Sequence, residues 1–554
     1  MRYKKMKMKR KNILMMRCLA GLLLLSACSS EENMADTGNK IDVAKGICFQ
    51  FTEEAFVPGE VAAAKQGTRA LAEPQEIDLG NGIIAEATLE PDTAGCAQTR
   101  AGNPVPDGTY KIYAIDAGGT RHDGLTGTMT GGVFTPSGHW ELEAGTYTFV
   151  CINSAVTDNG NELYMNLNQG KMPLIGVSDP VTVTTPFDVL VSFVMRHQQA
   201  RFRYQFVSYT EPMESPSLGW LNSDPTMDIG SAYFDLRGNR LRDGGTEARL
   251  FSYAGTLHLN QAYQPSSITK EYTYTTDYIL YPPGSANAVY YAISATLYGR
   301  SIYSNKPTFL GTMQKNHSYI WKLKFKNKDP WYLYNDGTIG SLAKRGSRTP
   351  IGIVVKEKTS ESDQGTACAL DVLNYTWKNV DDHIEENISP SPTNMAEAAA
   401  DMNGENWTYN ANLQGTVRSN QATTYPAFYQ AARYTPGVAT ASSIGRWYLP
   451  SYGELIKFVQ VFQKGFTPTA TETVAPHYDQ MSTGFLSKVQ NAFTQASKPA
   501  INSQFIISST QIYGGTPSLG FRPTYINIWS GDQLYTGFCW NTMINGYIMP
   551  FVHF

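Results

Sequence analysis

Three features of this 554-residue sequence predict a mainly β chain, two β-sandwich domains followed by an α+β domain. The first is composition: 33 Tyr, 24 Phe and 48 Gly with only 17% charged residues suit twisted sheets and tight turns rather than helical bundles. The second is an echoed strand. Gly108-Thr109-Tyr110-Lys111-Ile112-Tyr113-Ala114-Ile115 returns as Gly145-Thr146-Tyr147-Thr148-Phe149-Val150-Cys151-Ile152, with Gly-rich turns between. The third is where helix signals begin. They follow residue 350, and Ser451-Tyr452-Gly453-Glu454 there has the form of a capping box, with Leu455, Phe458, Val459 and Phe462 on one helical face.

Taken in order, the chain opens on a leader. Eight basic and no acidic residues (Arg2, Lys4, Lys5, Lys7, Lys9, Arg10, Lys11, Arg17) precede an apolar stretch around residues 22–25 that is too short to span a bilayer. It ends in Leu25-Ser26-Ala27-Cys28, which resembles the lipobox of diacylated bacterial lipoproteins. That resemblance implies cleavage of residues 1–27, acylation of Cys28 and anchoring in the outer membrane. Without the leader, 37 basic residues face 48 acidic ones, a net charge near −11, which argues against nucleic acid as a partner.

Residues 28–100 read as a tether and N-terminal segment, with strand-like runs at 47–51 and 82–89. Thirteen acidic and five basic residues give it most of the chain's negative charge. Two loops within it hold the same tripeptide, Thr68-Arg69-Ala70 and Thr99-Arg100-Ala101, and each offers an exposed arginine. The segment reads as detachable. Gly80-Asn81-Gly82-Ile83-Ile84-Ala85 matches a dinucleotide fingerprint in letters only, because that motif needs a preceding strand and a following helix; a turn into a strand is expected.

Residues 101–200 and 201–328 are expected to form the two sandwiches. Arg201-Phe202-Arg203-Tyr204-Gln205-Phe206 alternates polar and aromatic residues, as does the run at 317–326, where Tyr319, Trp321, Leu323 and Phe325 share one face and Lys322, Lys324 and Lys326 the other. The lysine row could hold an anionic ligand, but a solvated face or a protected edge is the ordinary meaning of such a row. The lipobox, the Thr-Arg-Ala loops, the Gly-Thr-Tyr pair, the run Val191-Ser192-Phe193-Val194-Met195-Arg196-His197-Gln198-Gln199-Ala200-Arg201-Phe202-Arg203 and the His317-Ser318-Tyr319 strand together resemble the fimbrillin family of type V pilus subunits in Bacteroidales. The resemblance implies transthyretin-like sandwiches and export as a lipoprotein. It also implies cleavage after an arginine, Arg100 before Arg69, and a groove opened by loss of the first strand and filled by a neighbouring subunit's strand.

Residues 329–350 read as a linker and 351–554 as a different domain. Thr349-Pro350-Ile351-Gly352-Ile353-Val354, Gly445-Arg446-Trp447-Tyr448-Leu449-Pro450-Ser451-Tyr452-Gly453-Glu454-Leu455, Ser508-Ser509-Thr510 and the run at 546–552 resemble the C-type-lectin-like domain of FISUMP type. Relatives often close on Arg-Pro-Val where this chain reads Met549-Pro550-Phe551-Val552, so that arginine's role does not carry over. Asn394 with Glu397, and Leu486, Val489 and Phe493, mark two further helices.

Motifs for catalysis are missing: no His-Glu-x-x-His, phosphate loop or Gly-x-Ser-x-Gly elbow occurs, and neither an enzyme activity nor a cofactor is expected. Asp381-Asp382-His383-Ile384-Glu385-Glu386 gathers hard oxygen ligands without a calcium-loop spacing, and a solvated acidic loop is expected. Among the cysteines, Cys151 reads as a buried thiol, and Cys368 and Cys539 lie in one domain without any spacing that says whether they pair. Trp447 reads as core, whereas Trp407 and Trp529, in Gly- and Asn-rich surroundings, are candidate ligand-contact aromatics. The function expected from these features is a pilus tip or accessory subunit in adhesion, joined to other subunits by strand exchange and touching a host or bacterial surface protein or glycan. The alternative is an outer-membrane lipoprotein that binds glycans without polymerising.

Overall fold

The computed structural model describes residues 40–60, 74–94, 103–166, 172–184, 189–221, 229–246, 250–252, 255–281, 283, 288–290, 292–304, 307–309, 313–387, 391–468, 477–539 and 544–554. Cys28, Arg69 and Arg100 lie outside the described residues. The chain is mainly β, and it divides into two units. One comprises the described residues of Met1–Thr52, Pro104–Cys151 and Gly176–Val194, the other those of Glu53–Asn103, Ile152–Ile175 and Met195–Phe554.

The first unit is built on a seven-stranded sheet in the order Ile47–Glu53, Val189–His197, Leu174–Val183, Gly145–Asn153, Gly108–Asp116, Arg121–Thr130, Val133–Ser137. The sequence echo is a structural one. Gly108–Asp116 and Gly145–Asn153 show the same burial pattern, four consecutive buried residues near the end of each, and in each the tyrosine hydroxyl donates to a carbonyl four residues upstream: Tyr110 to Pro106 O at 2.8 Å, Tyr147 to Glu143 O at 2.9 Å. Phe193 stacks against Phe49 and Phe51 of the outermost strand, with ring centroids 6.0 and 5.3 Å apart.

In the second unit an eight-stranded sheet runs His258–Leu259, Glu271–Thr275, Ala200–Tyr209, His317–Asn327, Ile83–Pro91, Gln75–Asp78, with two short strands off this path. His317–Asn327 is parallel to Ala200–Tyr209 and antiparallel to Ile83–Pro91. Its buried face is the predicted one: Tyr319, Trp321, Leu323 and Phe325 are buried with Tyr204 and Phe206, and a four-stranded sheet containing Glu214–Leu221 and Ala292–Leu297 supplies Leu218, Ile293 and Leu297 to the same core.

Beyond residue 330 the same unit holds a five-stranded sheet, ending on Thr366–Ala369 and Phe551–His553, and a six-stranded sheet in which Asn545–Ile548 lies between Leu373–Thr376 and Phe505–Tyr513. The Tyr452–Phe462 helix buries Leu455, Phe458, Val459 and Phe462 in the core between them, as its spacing predicts. The Glu454 carboxylate reaches back to the Ser451 N–H at 2.8 Å. Asn394 caps a single turn, Met395–Ala398, by accepting from the Glu397 N–H, and Phe485–Gln495 buries Val489 and Phe493.

Two expectations need correction here. The lysine row does not protect an edge: its strand has a neighbour on each side, because the partner comes from 230 residues away and no local pattern reveals it. The acidic loop is not simply solvated. Glu386, Lys378 and Arg418 are buried; Glu386 accepts from Lys378 Nζ at 2.5 Å, Arg418 Nε at 3.2 Å and the Tyr425 hydroxyl at 2.9 Å, while Asp381 pairs with Arg522 at 3.1 Å. These carboxylates are neutralised by side chains rather than arranged for a cation. Among the described residues no cluster of three or more His, Cys, Asp or Glu could hold a metal ion.

Candidate functional site

The candidate site lies where the acidic N-terminal segment enters the sheets. Its part in the second unit is a hairpin, Gln75–Asp78 and Ile83–Pro91, turned by Gly80, Asn81 and Gly82, all at positive φ (76°, 51° and 74°). Glycine suits two of these positions and asparagine tolerates the third. Thus the fingerprint-like letters form the expected turn into a strand.

The Ile83–Pro91 strand pairs along its whole length with His317–Asn327, from Ile83 opposite Asn327 to Pro91 opposite Tyr319. Strand alternation sends Ile83, Ala85 and Ala87 into the core and turns Glu86 and Glu90 to the outer face. There the two carboxylates meet the lysine row. Glu90 lies 2.5 Å from Lys322 Nζ, and Glu86 pairs with Lys326. The lysine row is thus the counter-charge of this strand, a role legible only by matching the four-residue spacing of Glu86 and Glu90 to that of Lys322 and Lys326. At the hairpin tip Arg300 Nη1 donates to Asn81 O at 2.7 Å, Asn81 Nδ2 to Ser301 O at 3.0 Å, and Lys328 N to Gly82 O at 2.8 Å.

The other end of the strand is gripped more tightly. Asp92, fully buried, accepts from Arg203 Nη2 at 2.9 Å and from the Tyr278 hydroxyl at 2.8 Å, and its own N–H donates to Ser318 O at 3.0 Å. Burial first, then this hydrogen bond to Asp92, raises the Tyr278 phenol above its ordinary range. The Arg201 guanidinium stacks between Phe56 (4.2 Å) and Tyr278 (3.9 Å), and Phe56 also stacks on His197 at 4.0 Å. His197 Nε2 lies 2.9 Å from Glu53 Oε1, and Arg196 Nε 3.2 Å from Glu54 Oε2. The run Arg196 to Arg203, in the sequence part of a resemblance and, from Arg201, of an alternating strand, therefore supplies four side chains that hold Glu53, Glu54, Phe56 and Asp92. The N-terminal segment is a bound strand held by charge, stacking and main-chain pairing.

The remaining candidates are dispersed. Trp529 is 39% exposed, beside Tyr535 at 5.6 Å, and stays open to a ligand. Trp407 does not: it is 5% exposed, and its indole N–H donates to Asp401 at 2.9 Å, because the Gly404–Tyr409 helix turns it toward Phe428 and Leu449. Trp447 is buried as expected. Cys151, Cys368 and Cys539 are buried free thiols, and Cys368 and Cys539 belong to different core clusters, which answers the pairing question: they do not pair.

No family model matches the sequence, and no curated protein matches it. Solved structures do. A fimbrial protein from Bacteroides ovatus is 12% identical, with 92% of this chain and 99% of that one covered and a TM-score of 0.28. The fimbrial anchor protein Mfa2 from Porphyromonas gingivalis is 12% identical over 38% of this chain and 77% of its own, with a TM-score of 0.22. The tip fimbrial protein Mfa3 from the same organism is 11% identical over 40% and 94%, with a TM-score of 0.25.

Proposed function

We propose that this chain is an adhesive tip or accessory subunit of a surface fibre of the type V pilus kind. It is exported as a lipoprotein acylated at Cys28, cut after Arg100 (or Arg69), and joined to its neighbour by a strand that replaces its own. It works by binding, without catalysis. The observation that carries this reading is the pairing of Ile83–Pro91: a whole strand of the second sandwich comes from a segment that the arginine loops bracket. Losing it leaves the edge N–H and C=O groups of His317–Asn327 to be satisfied by another strand.

Residues 545–553 are built into the fold. They sit inside one sheet and at the rim of a second, with Ile548, Met549, Phe551 and Val552 buried, so they are not free to be offered to a neighbour. In this reading the C-terminal region, with Trp529 exposed, meets a protein or glycan on another surface. N-terminal sequencing of protein sheared from the cell surface tests the reading. A start at Ala101 is expected; a mature start at Cys28 in full-length, membrane-bound protein would favour the non-polymerising glycan binder. Loss of acyl labelling in Cys28→Ala is expected as well.

A further inference from the structure

We infer that the strand received in place of Ile83–Pro91 is an acidic one, with small apolar residues facing inward, and that it is not the 545–554 strand of a second copy of this chain. The inference rests on the strand-exchange reading and adds the chemistry of the partner. Three observations lead to it.

On the inner face, Ala85 and Ala87 lie opposite Phe325 and Leu323 in a filled core, so the position takes a methyl group and resists bulk. On the outer face, departure of the resident strand removes Glu86 and Glu90 from a row of three lysines on one strand and takes Asp92 from Arg203. Arg203 is 21% exposed, so water restores part but not all of what a lost carboxylate gave it. A strand with carboxylates at the places of residues 86, 90 and 92 meets each of these needs; a neutral strand leaves like charges facing one another. Finally, residues 545–554 of this chain, Asn-Gly-Tyr-Ile-Met-Pro-Phe-Val-His-Phe, carry no acidic side chain and are bulky at alternate positions. They do not fit the groove, which excludes a second copy's last strand as the donor.

The test uses the full chain, an arginine-specific protease and three fluorescent peptides: residues 83–94, the same peptide with Glu86→Gln, Glu90→Gln and Asp92→Asn, and residues 545–554. Peptide that co-elutes with the cut protein on gel filtration is measured over a concentration series. The parent peptide is expected to bind at least tenfold more tightly than the amide peptide, with the ratio shrinking as salt is raised, and the 545–554 peptide is expected not to bind. A protein carrying Lys322→Glu and Lys326→Glu should reverse the preference toward a peptide with Glu86→Lys and Glu90→Lys. Equal binding of parent and amide peptides, or capture of the 545–554 peptide as well as the parent, would overturn the inference and leave strand exchange standing. If no peptide enters and the cut segment stays in place, strand exchange itself fails and the inference with it.

Discussion

Replacing Asp92 by alanine should loosen the N-terminal strand without unfolding the rest of the molecule. Asp92 is fully buried and takes hydrogen bonds from Arg203 at 2.9 Å and Tyr278 at 2.8 Å, while its backbone N–H is already committed to Ser318. Breaking a buried ion pair from one side costs about 3–5 kcal/mol, mostly through the charge left behind. Here the Arg203 side chain keeps 21% of its exposure and recovers part of its hydration, which brings the expected cost to about 2–3 kcal/mol. At 1.4 kcal/mol per factor of ten, this is roughly a 30- to 150-fold rise in the opening of the strand. Hydrogen exchange followed by mass spectrometry reads it directly at residues 83–91 and at their partners 317–327. The control is Asp78→Ala, which removes an exposed pair with Lys328 at 3.4 Å and an exposed hydrogen bond from the Gly80 N–H at 2.9 Å, and should change exchange at 317–327 by only a few-fold. A change below threefold in Asp92→Ala would show that the carboxylate does not hold the strand. Equal acceleration in residues 505–538 would show general destabilisation instead.

Other perturbations have outcomes of distinct size. Burial pushes the Glu454 carboxyl up to about 7, against hydrogen bonds from Tyr448 and Ser451 that pull it down. The folded state therefore holds this proton more tightly than the unfolded one, and the resulting stability is present below about pH 4.5 and lost as pH rises through 7. Denaturant unfolding at pH 5 and pH 8 should show the parent losing about 2 kcal/mol more than Glu454→Gln across that interval. Glu386→Ala leaves buried Lys378 and Arg418 facing each other, and the expected loss of about 3–5 kcal/mol should lower the Tm of the C-terminal region by about 10 °C in calorimetry. Trp407→Ala should cost about 3–5 kcal/mol as a cavity, whereas Trp529→Ala should cost less than about 1 kcal/mol, which makes it the variant with which to test surface adhesion.

What the sequence determined by itself was whatever local pattern encodes. The period of two at residues 201–206 and 317–326 set which side chains are buried, since a strand must send alternate residues to opposite faces. The Ser451 to Glu454 cap and the apolar face behind it set the start and orientation of a helix. The Gly80-Asn81-Gly82 turn was legible because only a few residues accept positive φ. Partnership was not legible, because strand pairing is made through backbone groups that every residue carries. Only the tertiary structure brought Glu86 and Glu90 to Lys326 and Lys322, across more than 230 residues, and turned an apparent solvated row into the counter-charge of an inserted strand. It also decided the fate of charges that composition marks only as polar: Asp92, Glu386 and Arg418 are buried because each meets an opposite charge that folding alone supplies, without which desolvation would keep them at the surface.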